Sequence, residues 1–85
     1  MHLKLRFFAA LREQLGVADE TIDLPEGVNT VGGLRSHLMQ RGEAWQKALA
    51  PTRALRVAVN QDMAYPSTPL RSGDEVAFFP PVTGG

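Results

Sequence analysis

Glu75-Val76-Ala77-Phe78-Phe79-Pro80-Pro81-Val82-Thr83-Gly84-Gly85 is the stretch from which the fold is best read. Its first five residues are almost continuously apolar. A strand of that composition lies in the middle of a sheet with both faces covered, or has an outer face that meets a partner. Pro80 and Pro81 then end it, because neither has an N–H for a sheet ladder and both hold φ near −65°. Phe79 and Pro80 each precede a proline and are pushed toward extended geometry. The chain is therefore expected to leave the sheet as a stiff arm. Six residues at about 3.3 Å each let its tip reach roughly 20 Å beyond Phe79. Gly84 and Gly85 remove every side chain from that tip, which suits an end that threads a narrow channel.

Upstream, a strand over His2 to Phe8 is expected from alternation, with Leu3, Leu5 and Phe7 on one face. Phe8 breaks the alternation, and Ala9 to Leu15 is rich in helix formers, with Leu11 and Leu15 on a shared face and Gly16 placed to end the helix. Glu20 to Leu24 reads as a second strand with Ile22 and Leu24 inward. Thr30 is an N-cap for a helix to about Gln40, its stripe made by Val31, Leu34 and Leu38. Gly32 and Gly33 in its first turn conflict with helix propensity at up to about 1 kcal/mol each, and point to close packing or a frayed start. Gly42 is expected to end this helix. Glu43 to Leu49 gives one more short helix, with Trp45 as a cover over the core. Leu55 to Val59 alternates as a strand, Asn60-Gln61-Asp62 is a turn, Met63 to Tyr65 is a short strand, and Arg71-Ser72-Gly73-Asp74 is a tight turn. The order predicts one small α+β domain, a mixed sheet of four to five strands with helices packed on one face. Residues 1–85 form that single domain, with 80–85 as its flexible functional tail.

Composition narrows the functions open to it. The chain has 85 residues, room for a single small core. Nine Lys and Arg balance nine Asp and Glu, so the formal net charge is zero; this is not the basic footprint of a nucleic-acid binder. No apolar run is long enough to span a bilayer, and the start of the chain lacks the apolar block of a signal peptide, so the expected location is cytoplasmic with no membrane partner. There are no cysteines, hence no disulfide, thiolate nucleophile or cysteine-based metal site. His2 and His37 lack ligand spacing, and no metal site is expected. No phosphate-binding glycine motif or Ser–His–Asp set is present. The remaining reactive group is the carboxylate of Gly85. Ionised at neutral pH, it is a poor acyl donor that needs activation, as an adenylate, by another protein.

Three segments carry a resemblance over the whole chain: Phe7-Phe8-Ala9-Ala10-Leu11-Arg12-Glu13, Ala58-Val59-Asn60-Gln61, and the run from Gly73 to Gly85. Together they resemble the small sulfur-carrier subunits of molybdopterin synthase, the MoaD family. The segment from Gly42 to Arg53 matches least well. The resemblance implies a ubiquitin-like β-grasp fold. It implies that Gly85 is adenylated by an adenylyltransferase similar to ubiquitin-activating enzymes, which uses ATP, and is converted to a thiocarboxylate, with Gly84 the slim residue behind it. No cofactor is then bound by this chain. The large synthase subunit would take in the tail, Pro80, Pro81, Val82 and Thr83 included, and sulfur would pass to cyclic pyranopterin monophosphate. On its own the chain would not be an enzyme; two copies would flank a dimer of large subunits. Phe79, Phe8 and Met63 would form the apolar docking surface and Arg12 a polar contact beside it. From the residues alone, Phe8 and Met63 fit a core equally well, and Arg12 fits a solvated helix face. Other readings are a carrier of the thiazole pathway, a ubiquitin-like modifier, or a β-grasp interaction module with an inert tail.

Overall fold

The structure, a computed structural model, describes residues 1–80. β1 (His2–Phe7) buries Leu3, Leu5 and Phe7 and exposes the residues between them, as strict alternation requires. It pairs antiparallel with β2 (Asp19–Asp23) and parallel with β5 (Glu75–Phe79). β5 pairs on its other side, antiparallel, with β3 (Arg56–Val59), which forms a hairpin with β4 (Asp62–Ala64). The order β2-β1-β5-β3-β4 puts the apolar last strand at the centre of a five-stranded mixed sheet. Val76, Ala77 and Phe78 are all buried, as expected of a central strand.

Three helices cover one face: α1 (Ala10–Leu15), α2 (Val31–Met39) and α3 (Glu43–Ala48). Leu11, Val31, Leu34, Leu38, Ala48 and Leu49 pack onto Leu3, Leu5, Phe7, Val57, Val76 and Phe78. Phe7 stacks on Phe78 and meets the edge of Trp45. Trp45 is the expected lid over the core. The Arg41 guanidinium sits 4.6 Å from its ring and forms a bidentate pair with Glu20 at 2.6 and 2.8 Å. Among the described residues no polar or charged side chain is buried.

Several boundaries differ from the sequence reading. Phe8 lies beyond β1, because Ala9 takes a positive φ of 52° that turns the chain into α1. β2 ends at Asp23, although Leu24 stays buried and donates its N–H to the Met1 carbonyl. β3 begins at Arg56, with Leu55 packed against the core from just outside the strand. Gly42 does not end α2. That helix stops at Met39 with Gln40 as its C-cap, and Gly42, at φ 148°, leads into α3. Gly16 caps α1 in the left-handed region, and Thr30 Oγ1 accepts the Gly33 N–H at 3.1 Å, both as read from sequence.

Gly32 has a packing explanation. The Gly32 N–H donates to the Pro66 carbonyl at 2.9 Å, and a Cβ on Gly32 would lie 3.1 Å from that same oxygen. The Val31 N–H bonds to the Thr68 carbonyl. The loop around Pro66 thus satisfies amides at the start of α2 that lack partners within the helix.

Candidate functional site: the outer sheet face at the end of β5

Helices cover the face carrying Val76 and Phe78; the opposite face carries Ala77 and Phe79. Directly opposed residues in a sheet share a face, so the register defines what that face presents. One row runs Asp19, Arg6, Ala77, Ala58, Met63 across all five strands. Phe79 pairs with Arg56 in the row beside it. Ala58 and Ala77 are almost fully buried yet stand outside the core cluster, so their small side chains form a floor between longer ones.

Phe8 and Phe79 stack on this face, centroids 4.7 Å apart and planes within 5°. Two backbone features bring them together. β1 and β5 run parallel with Phe7 opposite Phe78, and the Phe8 N–H donates to the Phe78 carbonyl at 3.2 Å. The Arg6 guanidinium lies 5.2 Å from the Phe8 ring, close enough for cation–π attraction. Both phenylalanines are half-buried, while Met63 is 62% exposed. Met63 is therefore a surface residue, and Phe8 belongs to the outer face. The result is an apolar patch made by Phe8, Phe79, Ala77, Ala58 and Met63, edged by Arg6 and Arg56. Apolar patches rimmed by charge are characteristic of docking sites.

The structure brings Phe8, Phe79 and Met63 onto one face and places Pro80 directly after Phe79. It does not draw in Arg12, which is exposed on α1 and makes no side-chain hydrogen bond or ion pair with another described residue. Pro81, Val82, Thr83, Gly84 and Gly85 lie outside the described residues. Arg6, Arg56, Ala58 and Ala77 were missed by the sequence reading. The signal for Arg6 was present, since alternation from Phe7 sets it on the outer face; the others needed the strand order. Among the described residues no group of three or more His, Cys, Asp and Glu is placed to hold a metal, and no helix is long and apolar enough to cross a membrane.

The fold defines a ubiquitin-like β-grasp domain, with an exposed apolar patch where its last strand ends. Residues 5–85 match the ThiS family, and the chain belongs to that family. It is 43% identical over 83 residues to the molybdopterin synthase sulfur carrier subunit of Haemophilus influenzae, covering 98% of this chain and 99% of that one. Its structure is similar to that of the small archaeal modifier protein SAMP1 from Haloferax volcanii, with a TM-score of 0.82, 28% identity and full coverage of both chains. It is also similar to a chain in the complex of subunits 1 and 2 of the molybdopterin-converting factor from Helicobacter pylori, with a TM-score of 0.68, 29% identity and full coverage of both chains.

Proposed function

We propose that the chain is the sulfur carrier subunit of a molybdopterin synthase, working with a large catalytic subunit. The observation that carries this reading is the stacked Phe8–Phe79 pair at the exit of β5, on a chain whose relatives are sulfur carrier subunits end to end. The patch adjoins the point where the tail leaves the sheet. A partner that grips it receives the tail in a fixed direction, and the binding energy of the patch serves to position the C-terminal carboxylate.

In this proposal the Gly85 carboxylate attacks the α-phosphate of ATP on an activating enzyme, releasing pyrophosphate and leaving an acyl adenylate. A sulfide-level donor displaces AMP and leaves a thiocarboxylate. In the active site of the large subunit that sulfur passes to cyclic pyranopterin monophosphate, and water restores the carboxylate. All catalysts are borrowed; this chain supplies the arm, the cargo-bearing carbonyl and the docking face. Two carriers on a dimer of large subunits would deliver the two sulfurs of a dithiolene. A cytoplasmic location follows from these partners.

Intact mass spectrometry of the chain, co-produced with its activating enzyme, tests the reading. The expected result is a mass gain equal to one oxygen replaced by sulfur at Gly85. An unmodified mass under those conditions overturns it. The likeness to an archaeal modifier protein supports a second reading, in which the activated glycine is passed to an amine. Conjugates of higher mass carrying this chain, in place of the thiocarboxylate, would select it.

A further inference from the structure

A groove of about 500 Å³ lies between α2 and the β3–β4 edge of the sheet, a volume typical of ligand sites. Val31, Met39 and Ala64 give it apolar walls, and Met63 and Tyr65 stand at its side, 62% and 72% exposed. No Asp or Glu lines it, whereas two cations do, Arg35 and Arg56. Neither arginine forms an ion pair with another described residue.

Arg35 is the more telling of the two. Its Nε donates to the Leu49 carbonyl at 2.6 Å, and its Nη2 to the carbonyls of Ala50 and Arg53. Its Nη1 makes no hydrogen bond to another described residue. Burial pushes the guanidinium pKa down from its ordinary value, yet an arginine stays charged at neutral pH. The groove therefore combines apolar walls with a partly desolvated positive charge that no carboxylate among the described residues balances. Such a site attracts an anion more strongly than an exposed arginine does.

The sheet edge adds a third element. β4 is the last strand of the sheet. Asn60 and Gln61, both at positive φ, form a two-residue turn that makes Val59–Asp62 the hydrogen-bonded pair. Ala58–Met63 is then the non-hydrogen-bonded pair, and the Met63 N–H and C=O face away from β3. An extended chain laid along the edge has partners there.

We propose that this groove docks an extended acidic–apolar segment of a partner protein, with an apolar side chain between α2 and β4 and a carboxylate toward Arg35 and Arg56. Charge complementarity selects this occupant over a basic or purely apolar one. The groove shares Met63 and Arg56 with the patch around Phe8 and Phe79, but its walls on α2 and at Ala64 lie away from that patch, and it does not rest on the sulfur-carrier reading.

Titration of the full chain, ¹⁵N-labelled, with the synthetic peptide acetyl-Ser-Asp-Glu-Ile-Val-Phe-Glu-Asp-amide provides the test. The expected result is saturable amide shifts over Val31–Met39 and Asp62–Tyr65. Peptides with every acid replaced by Lys, or with Ile, Val and Phe replaced by Ser, should leave those amides unmoved. Ser36→Glu places a negative charge on the exposed groove wall, with folding checked in the same spectra. It should weaken the acidic peptide at least about tenfold. Equal binding of the lysine peptide overturns the proposal, as do shifts confined to the outer sheet face or an unaffected Ser36→Glu variant. Concentration-dependent shifts without peptide would assign the groove to a second copy. Shifts of the free groove on removing Gly84 and Gly85 would assign it to the chain's own end. Either result also overturns the proposal.

Discussion

The rings of Phe8 and Phe79, 71 positions apart by their numbers, lie parallel with centroids 4.7 Å apart on the uncovered face of the sheet. One residue follows β1 and the other ends β5, so the contact exists only because those strands run parallel and in register. It joins the exposed apolar patch to the end of β5.

This pair should contribute more to partner binding than to folding. Offset aromatic pairs are worth about 0.5–1.5 kcal/mol beyond burial, and both rings keep part of their surface in solvent. Phe79→Ala is expected to cost about 1 kcal/mol in urea unfolding. It should weaken binding to a large synthase subunit by about tenfold or more in calorimetry, the behaviour of an interface anchor. A variant that loses stability and keeps its affinity would remove the pair from the interface.

Removing Gly84 and Gly85 should abolish sulfur transfer and leave thermal stability almost unchanged. Among the described residues the buried core runs from Leu3 to Phe78, and terminal residues beyond a core contribute little to folding. A substantial fall in Tm would give the tail a structural role instead.

Asn60 sits at φ 51° in the β3–β4 turn. Its Nδ2 donates to Asp74 Oδ1 at 2.9 Å, and its Oδ1 accepts the Glu75 N–H at 3.0 Å, tying this hairpin to the start of β5. Asn60→Ala should cost about 2 kcal/mol, from left-handed backbone strain and two exposed hydrogen bonds. Asn60→Gly relieves the strain alone, so urea midpoints should rank native above Gly above Ala. Equal losses in both variants would mean that the hydrogen bonds carry the whole effect.

Gly32→Ala provides a test in which two effects have opposite signs. Helix propensity favours alanine by up to about 1 kcal/mol. The Pro66 carbonyl, held at 2.9 Å by the Gly32 N–H, stands 3.1 Å from where the new Cβ would go. That obstacle is backbone and must shift with its loop, so a net loss of about 1 kcal/mol is expected. A raised Tm would show that the loop around Pro66 yields at little cost.

Local chemistry made much of this protein legible in its sequence. Alternation set Leu3, Leu5 and Phe7 inward; Thr30 and Gly16 marked helix ends through side-chain capping and a left-handed backbone; the apolar run at Val76–Phe78 pointed to a central strand or a partner-facing one; and Pro80 marked its end. Each follows from a residue and its near neighbours. The tertiary structure decided what depends on residues far apart in the chain. Phe8 and Met63 fit core or surface until the strand order put them on the open face. Gly32 pointed to close packing or a frayed helix start, and the Pro66 carbonyl against it decided for packing. Gly42 had the character of a helix stop, but α2 ended sooner and Gly42 became the entry to α3. The groove, whose two arginines pair with no carboxylate among the described residues, was not legible at all, because its walls come from α2, the loop after α3, and the β3–β4 edge. Periodicity tells which way a side chain points from its own strand or helix. What stands opposite is fixed only when the sheet closes.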